Sequence, residues 1–202
     1  MENVLNEKYR EFFEVMVNDP QLRKEVVKLL LGDAVPEIEP EKSGIMLIDN
    51  RFDTELYVPC KDRYGVEYEI RIIPVRQEDF RTERSMHGKL RQEDLAYFYA
   101  HPEETVPESV IIWLCNFDVA NGDELISHVK PKAEFATDNK LGDITEIFIC
   151  VAPEAKDYEG VENNLVRYLT SGVYTDELTR NIDNQLVDLQ NEKSKKGMIS
   201  AK

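Results

Sequence analysis

Apolar residues recur at helical spacing along residues 8–31, with one interruption at Asn18-Asp19-Pro20. The apolar positions are Phe12, Phe13, Val15, Met16, Leu22, Val26, Val27, Leu29 and Leu30. Aspartate is a good helix cap, proline suits a first helical turn and glycine ends helices, so Asp19, Pro20 and Gly32 mark the limits of a second helix. The pattern predicts two amphipathic helices joined by a tight turn.

After a connector rich in proline and glutamate at residues 36–44, the chain changes to short alternating runs of Ile, Val and Tyr. Such runs are typical of strands. Residues 55–60 and 66–75 flank a polar stretch that ends in Gly65, a residue that favours tight turns. These residues predict a β-hairpin.

Two later runs, residues 109–117 and 144–151, are continuously apolar, as expected for central strands covered on both faces. Residues 89–100 are weakly helical, whereas residues 161–169 and 175–189 show clearer helical spacing. The predicted order is two helices, a hairpin, a helix, two strands and two helices. This order predicts an α/β fold in which helices flank a mixed central sheet.

Length and composition favour a single domain. The chain has 202 residues and 42% hydrophobic content, enough for one sizeable core. We assign residues 1–190 to this domain and residues 191–202, which are polar and lysine-rich, to a frayed and disordered tail. No apolar run approaches the roughly 18 residues that span a bilayer, and the first residues are too charged for a signal peptide. We therefore expect a cytoplasmic protein with no membrane partner.

Neither the cysteines nor the histidines form a recognisable motif. The cysteines lie among apolar neighbours without CxxC spacing, so we interpret them as small core residues. The histidines lack HExxH-type spacing, so we expect no histidine metal site. These residues are Cys60, Cys115 and Cys150, and His87, His101 and His128.

Charge is the most unusual bulk property, because 25 basic residues against 40 acidic ones give a net charge of −15. Most of this surface should repel DNA. Residues 51–91 differ, since nine Lys and Arg against eight Asp and Glu leave a local charge of +1. This stretch is where a nucleic acid would bind, whereas the acidity elsewhere can equally serve solubility alone.

Alternation along the hairpin places an apolar face opposite an acidic one. Glu55, Glu69 and Arg71 share the acidic face, and Leu56, Val58, Cys60, Tyr68, Ile70 and Ile72 share the apolar one. Carboxylates on adjacent strands suit Mg²⁺, which binds oxygen ligands and can activate water beside a phosphate. The alternative is an ordinary strand face on which Glu and Arg pair across the hairpin.

Four segments occur in an order that points to a known family. They are FFEVMVNDPQLRKEVVKLLLGDAV at 12–35, VIIWLCNFD at 110–118, LGDITEIFI at 141–149 and VENNLVRYL at 161–169. Together they resemble the helical pair, the strand ending in Phe-Asp, the "LGDGT" turn with its strand, and the helix after the sheet in the recombination-promoting nuclease/transposase family of the PD-(D/E)XK nuclease superfamily. The resemblance implies a restriction-endonuclease-like fold and Mg²⁺-dependent cleavage of DNA.

Members of this family carry an aspartate on the first hairpin strand and Glu-x-Gln on the second, fourteen positions later. In an ungapped match Glu55 takes the place of the aspartate, and Glu69 and Arg71 take those of the glutamate and glutamine. The resemblance then implies that Glu55 and Glu69 bind the metal, with Asp53 as a further ligand. Arg71 would contact phosphate or position water, which makes Glu55, Glu69 and Arg71 the predicted catalytic residues.

A second match, anchored on Asp62 and Gly65, places Tyr57 and Arg71 where the two carboxylates belong. Under that match the metal site is absent. The sequence leaves both matches open.

Two functional hypotheses follow. The first is a divergent, metal-dependent DNA endonuclease of the transposase-associated type, encoded by a mobile element. The second is a non-catalytic acidic protein on the same fold, such as a phage-encoded inhibitor that binds a basic, nucleic-acid-binding host protein. Ancestry favours the first and electrostatics the second, and we favour weakened or lost catalysis.

Overall fold

The computed structural model describes residues 3–32, 38–40, 44–49, 54–117, 126–129, 144–151 and 161–200. The elements in chain order are α1 (Asn3–Asn18), α2 (Pro20–Leu31), β1 (Ile38–Pro40), β2 (Met46–Asp49), β3 (Thr54–Asp62), β4 (Glu67–Val75), α3 (Gln77–Ala100), β5 (Glu108–Cys115), β6 (Ile126–Val129), β7 (Ile144–Cys150), α4 (Val161–Ser171) and α5 (Glu177–Ser200).

The predicted N-terminal helical pair is confirmed, together with the residues that mark its limits. Asp19 Oδ1 accepts hydrogen bonds from the backbone N–H groups of Gln21 and Leu22, both at 2.9 Å, so it caps α2. Pro20 is the first residue of α2, and Gly32 follows its last residue with φ at +50°. A left-handed φ of this kind favours glycine, which explains where the helix ends.

The strands form one mixed sheet, which confirms the predicted α/β fold with flanking helices. The seven strands described follow the order β1-β3-β4-β5-β7-β6, and β2 also pairs with β3. Neighbours β4, β5 and β7 are parallel, whereas the other pairs are antiparallel. The sequence did not predict β1, β2 and β6, because strands of three or four residues are too short to show alternation.

The two faces of this sheet are covered very differently. Helices α1, α2, α4 and α5 bury one face under a large apolar core that includes Phe13, Met16, Ile70, Ile112 and Leu165. Helix α3 covers the other face. The apolar cluster there is smaller and consists of Ile73, Val75, Ile111, Trp113, Cys115 and Phe148, with Phe80, Phe117 and Ile144 packed against it.

The cysteines agree with their interpretation as core residues at two positions of three. Cys60 and Cys115 are buried and Cys150 is half-buried, and all three are free thiols. Burial raises the pKa of the Cys115 thiol far above its usual range.

The long helices α3 and α5 both run farther than the sequence predicts, with 24 residues each. The first half of α3 was missed because Glu83, His87 and Arg91 face inward, which removes the apolar periodicity of a buried helix. Helix α5 continues to Ser200, within the stretch that we predicted to be a frayed tail. Among the helices described, none is both long and apolar enough to cross a membrane.

Candidate functional site

The hairpin of β3 and β4 has the predicted turn and the predicted faces. Asp62 Oδ1 accepts hydrogen bonds from the N–H groups of Tyr64 and Val66, both at 2.8 Å, and Gly65 has φ at +84°. The apolar face joins the large core. The acidic face, with Glu55, Tyr57, Glu69 and Arg71, therefore lies on the side of the sheet that α3 covers.

The strand register decides which of these side chains are neighbours. Tyr57 pairs with Arg71 and Pro59 pairs with Glu69, which places Glu55 level with Ile73. Glu55 and Glu69 are therefore four positions apart along the hairpin, about 13 Å at the usual rise of a strand. The structure brings Tyr57 and Arg71 together, but it does not place the two predicted carboxylate ligands side by side.

Arg71, the third residue of the predicted site, binds Glu55. Arg71 Nη1 donates a hydrogen bond to Glu55 Oε1 at 2.7 Å, and Glu55 is only 2% exposed. The guanidinium also lies 5.4 Å from the centre of the Tyr57 ring. Burial raises the pKa of Glu55, and the charge of Arg71 opposes that rise. Glu55 is thus a buried acid that has a cation of its own.

Glu69 has different partners. The Tyr57 hydroxyl donates a hydrogen bond to Glu69 Oε1 at 3.2 Å. Burial, reinforced by the Glu69 carboxylate, raises the pKa of Tyr57 to about 12. Burial lowers the pKa of Arg91 on α3. Among the charges that oppose this effect, the negative charge of Glu69 is the largest. Glu69 therefore interacts with Tyr57 and Arg91, and the Tyr57 ring also contacts Arg71.

Helix α3 adds His87 to the site, a residue that carried no recognisable motif in the sequence. Its Nε2 atom lies 3.3 Å from Glu55 Oε2 and 3.8 Å from Glu83 Oε2. Burial and then the charge of Arg71 lower the pKa of His87 to about 4, so the imidazole is neutral at pH 7. Residues 76–94 are polar at nearly every position, so no local pattern indicated that His87 faces inward.

A second buried acid anchors α3 to the far side of the sheet. Arg84 donates two hydrogen bonds to Glu146 on β7, from Nε to Oε1 at 2.9 Å and from Nη2 to Oε2 at 2.6 Å. Trp113 Nε1 on β5 donates to the same Oε1 at 3.1 Å. Two donors in a fixed fork make this a strong and specific contact. A lone glutamate within the apolar run ITEIFIC was the sequence signal for this contact.

Glu55 and Glu69 are the two carboxylates that would have to share one Mg²⁺ ion. Mg²⁺ needs its oxygen donors within about 2.1 Å, and therefore side by side. Glu55 and Glu69 are separated along the hairpin, with Tyr57 and Arg71 between them, so the two carboxylates as placed do not fit one shared ion. Among the residues described, no group of three or more Asp, Glu, His or Cys side chains could hold a metal ion. Asp53 lies outside the described residues, and its role stays a prediction.

The chain was also compared with known proteins at three levels. No protein-family model, no curated protein and no solved structure matches it. The relationship to the PD-(D/E)XK superfamily accordingly stays a prediction from its residues.

Proposed function

We propose that this chain is a non-catalytic relative of the PD-(D/E)XK nucleases, with a restriction-endonuclease-like fold, that binds a basic, nucleic-acid-binding protein. The observation that carries the proposal is the pairing of Tyr57 with Arg71 across the hairpin. These are the residues that the second family match places at the two carboxylate positions.

The geometry of the hairpin supports that second match. Asp62 and Gly65, on which the match is anchored, form the turn. Ligands of one ion must be neighbours, and the neighbours here are a tyrosine and an arginine. A guanidinium has no acceptor atom and stays protonated in proteins, so it repels a metal ion instead of binding it.

The arginines of the basic stretch 51–91 support a protein partner over DNA. Three of them are engaged within the fold, because Arg71 bonds to Glu55, Arg84 to Glu146 and Arg91 to the backbone oxygen of Pro107. Contact with phosphates requires cations on the surface, and the engagement of these three arginines leaves fewer of them in this stretch. The net charge of −15 adds a general repulsion of DNA.

The outer face of α3, together with the segment that follows it, offers a surface of suitable chemistry for a basic protein. Residues 92–108 contain five Asp and Glu and neither Lys nor Arg. On the same helix Leu90 and Tyr97, seven positions apart, are 41% and 49% exposed. Exposed aromatic and apolar groups among carboxylates suit a segment rich in Lys and Arg, since tyrosine rings also attract cations. We place the partner on this face.

The catalytic part of the proposal is tested by incubating supercoiled plasmid with the full chain and Mg²⁺ or Mn²⁺. We expect no nicking above the level of a buffer control. Nicking by the wild-type protein that is lost in Glu69→Ala would contradict the proposal and favour the endonuclease.

The binding part is tested by affinity capture from cell extract, followed by measurement of affinity for the captured basic protein once it is purified. A triple variant, Glu93→Gln, Asp94→Asn and Glu103→Gln, should weaken binding at least about tenfold, because carboxylates within the interface are lost. The matched control neutralises three exposed acids of α5, Glu177→Gln, Asp188→Asn and Glu192→Gln, and should bind nearly as well as wild type. Equal loss in both triple variants would show an effect of net charge alone and rule out the α3 surface.

A further inference from the structure

The inner face of α3 is unlike that of any other helix on this sheet. Phe80 is its contribution to the apolar cluster beneath it, and the buried residues along the described helix are Glu83, His87 and Arg91. Arg84 is half-exposed and reaches the sheet through its bonds to Glu146. The other four helices contribute to a continuous apolar core. Over the face that carries the candidate site, α3 is therefore held by ionic and polar contacts as well as by aromatic ones.

Several polar atoms under α3 are buried without a hydrogen bond. Within the described residues they include Glu55 Oε2, His87 Nε2, and Nε and Nη1 of Arg91. A buried polar atom without a hydrogen bond is unfavourable, because it has lost water without full compensation. Glu55 Oε2 and His87 Nε2 lie 3.3 Å apart but form no hydrogen bond with each other. Movement of α3 away from the sheet would return water to these atoms, so the closed position is less favourable than that of an apolar helix.

Aromatic and polar contacts hold α3 in the closed position. Phe80 lies edge-on to Trp113, Phe117 and Phe148, and the ring of His87 lies edge-on to Trp113. The fork of Arg84 on Glu146 joins it to β7, and Arg91 Nη2 donates to the backbone oxygen of Pro107 at 2.8 Å. The side chain of Arg84 is 47% exposed, so water can compete for this ion pair.

The sheet does not depend on α3 for its strand pairing. Strands β4 and β5, which α3 connects, pair directly over eight residues, and β5 pairs with β7 over seven. The first turn of α3 has no side-chain cap, because Arg76 at the N-cap position makes no capping hydrogen bond. Both features allow α3 to move while the strands stay together.

We propose that α3 is a hinged lid, which lifts from the sheet as one unit while β4, β5 and β7 stay paired, and that the Arg84–Glu146 ion pair is the latch that holds it closed. Lifting uncovers the face with Glu55, Tyr57 and Arg71.

Native-state hydrogen exchange of the full chain, resolved by residue at constant pH, tests this proposal. We expect the amides of α3 to share one opening constant, at least about tenfold larger than that of β4, β5 and α2. Equal opening constants for α3 and β5 in the wild-type protein would overturn the lid.

Variants then test the latch. Arg84→Ala should accelerate exchange of α3 about tenfold and leave β5 unchanged, because it removes the bidentate contact with Glu146. Lys89→Ala, at an exposed lysine of the same helix, is the control and should change neither. His87→Leu should slow exchange of α3, since it removes a buried nitrogen that lacks a hydrogen bond.

Two results would overturn the latch: equal acceleration of α3 and β5 in Arg84→Ala, or no acceleration of α3. If Arg84→Ala does not fold, the wild-type exchange profile still decides on the lid, and Glu146→Gln tests the latch from its other side. The amide introduced by Glu146→Gln would keep an acceptor for Trp113 and lose the ionic contact, so selective acceleration of α3 is again the expected result.

Discussion

Glu55 and Arg71 form an ion pair on the face of the hairpin that α3 covers. The carboxylate is nearly fully buried, and the guanidinium that reaches it comes from the diagonal position on the neighbouring strand. Burial raises the pKa of Glu55, which shows how unfavourable its charge would be without a partner. Arg71 supplies the compensating charge from within the protein, so Glu55 needs no external cation.

Removal of Arg71 alone should therefore harm the fold more than removal of the pair. We expect Arg71→Met to lower the free energy of unfolding by about 2–4 kcal/mol, because it leaves a buried carboxylate uncompensated. The double variant Arg71→Met and Glu55→Leu should recover most of this loss, since apolar residues of similar volume can replace a buried ion pair. Urea denaturation, followed by the fluorescence of the single tryptophan Trp113, measures the free energy of unfolding of both variants.

The matched control is the exposed ion pair at the other end of the same hairpin, where Lys61 Nζ lies 3.1 Å from Glu67 Oε1. Lys61→Met should cost no more than about 0.5 kcal/mol, as is usual for pairs exposed to water. If Arg71→Met is no more harmful than Lys61→Met, Glu55 is not held by Arg71 in the way described.

At the scale of elements, the sequence predicted those whose ends are marked by local contacts. Helix α2 is bounded by Asp19 and Gly32, and the hairpin turn by Asp62 and Gly65, all through contacts within a few residues. The sequence could not predict contacts that join distant elements. Arg84 and Glu146 are 62 positions apart, and no local pattern encodes their meeting.

The candidate site, like the fold, could be predicted only where local patterns determine it. Alternation correctly placed Glu55, Glu69 and Arg71 on one face, because side chains of a strand alternate whatever its partner. It could not decide which of them are neighbours, because that depends on the register between two strands. His87 was missed for a related reason, since its importance comes from burial against Glu55 on another element.

The cap of α2 gives a prediction for an element. Asp19 accepts from the N–H groups of Gln21 and Leu22, and its Oδ2 accepts from the side chain of Gln185 on α5 at 2.6 Å. Asp19→Ala should lower the free energy of unfolding by about 1–2 kcal/mol, the usual effect of losing a cap. Glu25→Ala on the exposed side of the same helix is the control and should change stability little.

The ionisation of Asp19 gives the cap a defined dependence on pH. The hydrogen bond from Leu22 lowers the pKa of Asp19 below its ordinary value of 3.8. A lowered pKa in the folded state means that the carboxylate stabilises the fold above that ordinary value and loses this effect as pH falls through the folded value. The difference in unfolding free energy between wild type and Asp19→Ala should thus be constant near pH 7 and shrink below pH 3.8. A difference that is absent at pH 7 would contradict the cap.

At the scale of the whole molecule, acidic charge is left mainly on the outside. Of the buried acids Glu55, Glu83 and Glu146, the first and the last are each matched by an arginine, so these two do not account for the net charge of −15. Exposed stretches such as residues 92–108 carry acids without any Lys or Arg. Like charges spread over one surface repel each other and oppose the compact state.

Salt should therefore stabilise this protein. The distance over which exposed charges interact falls from about 30 Å at 0.01 M salt to about 3 Å at 1 M. We expect the melting temperature to rise with NaCl over this range by several degrees, as about 1–2 kcal/mol of repulsion is screened. KCl should have the same effect as NaCl, because screening depends on ionic strength and not on the cation.

The triple variant of the α3 surface reduces the net charge from −15 to −12, and its melting temperature should rise less with salt than that of wild type. A melting temperature that falls with salt would mean that attractive ion pairs at the surface outweigh the repulsion. The exposed acids would then be paired with cations of the same chain and would not be available to a basic partner.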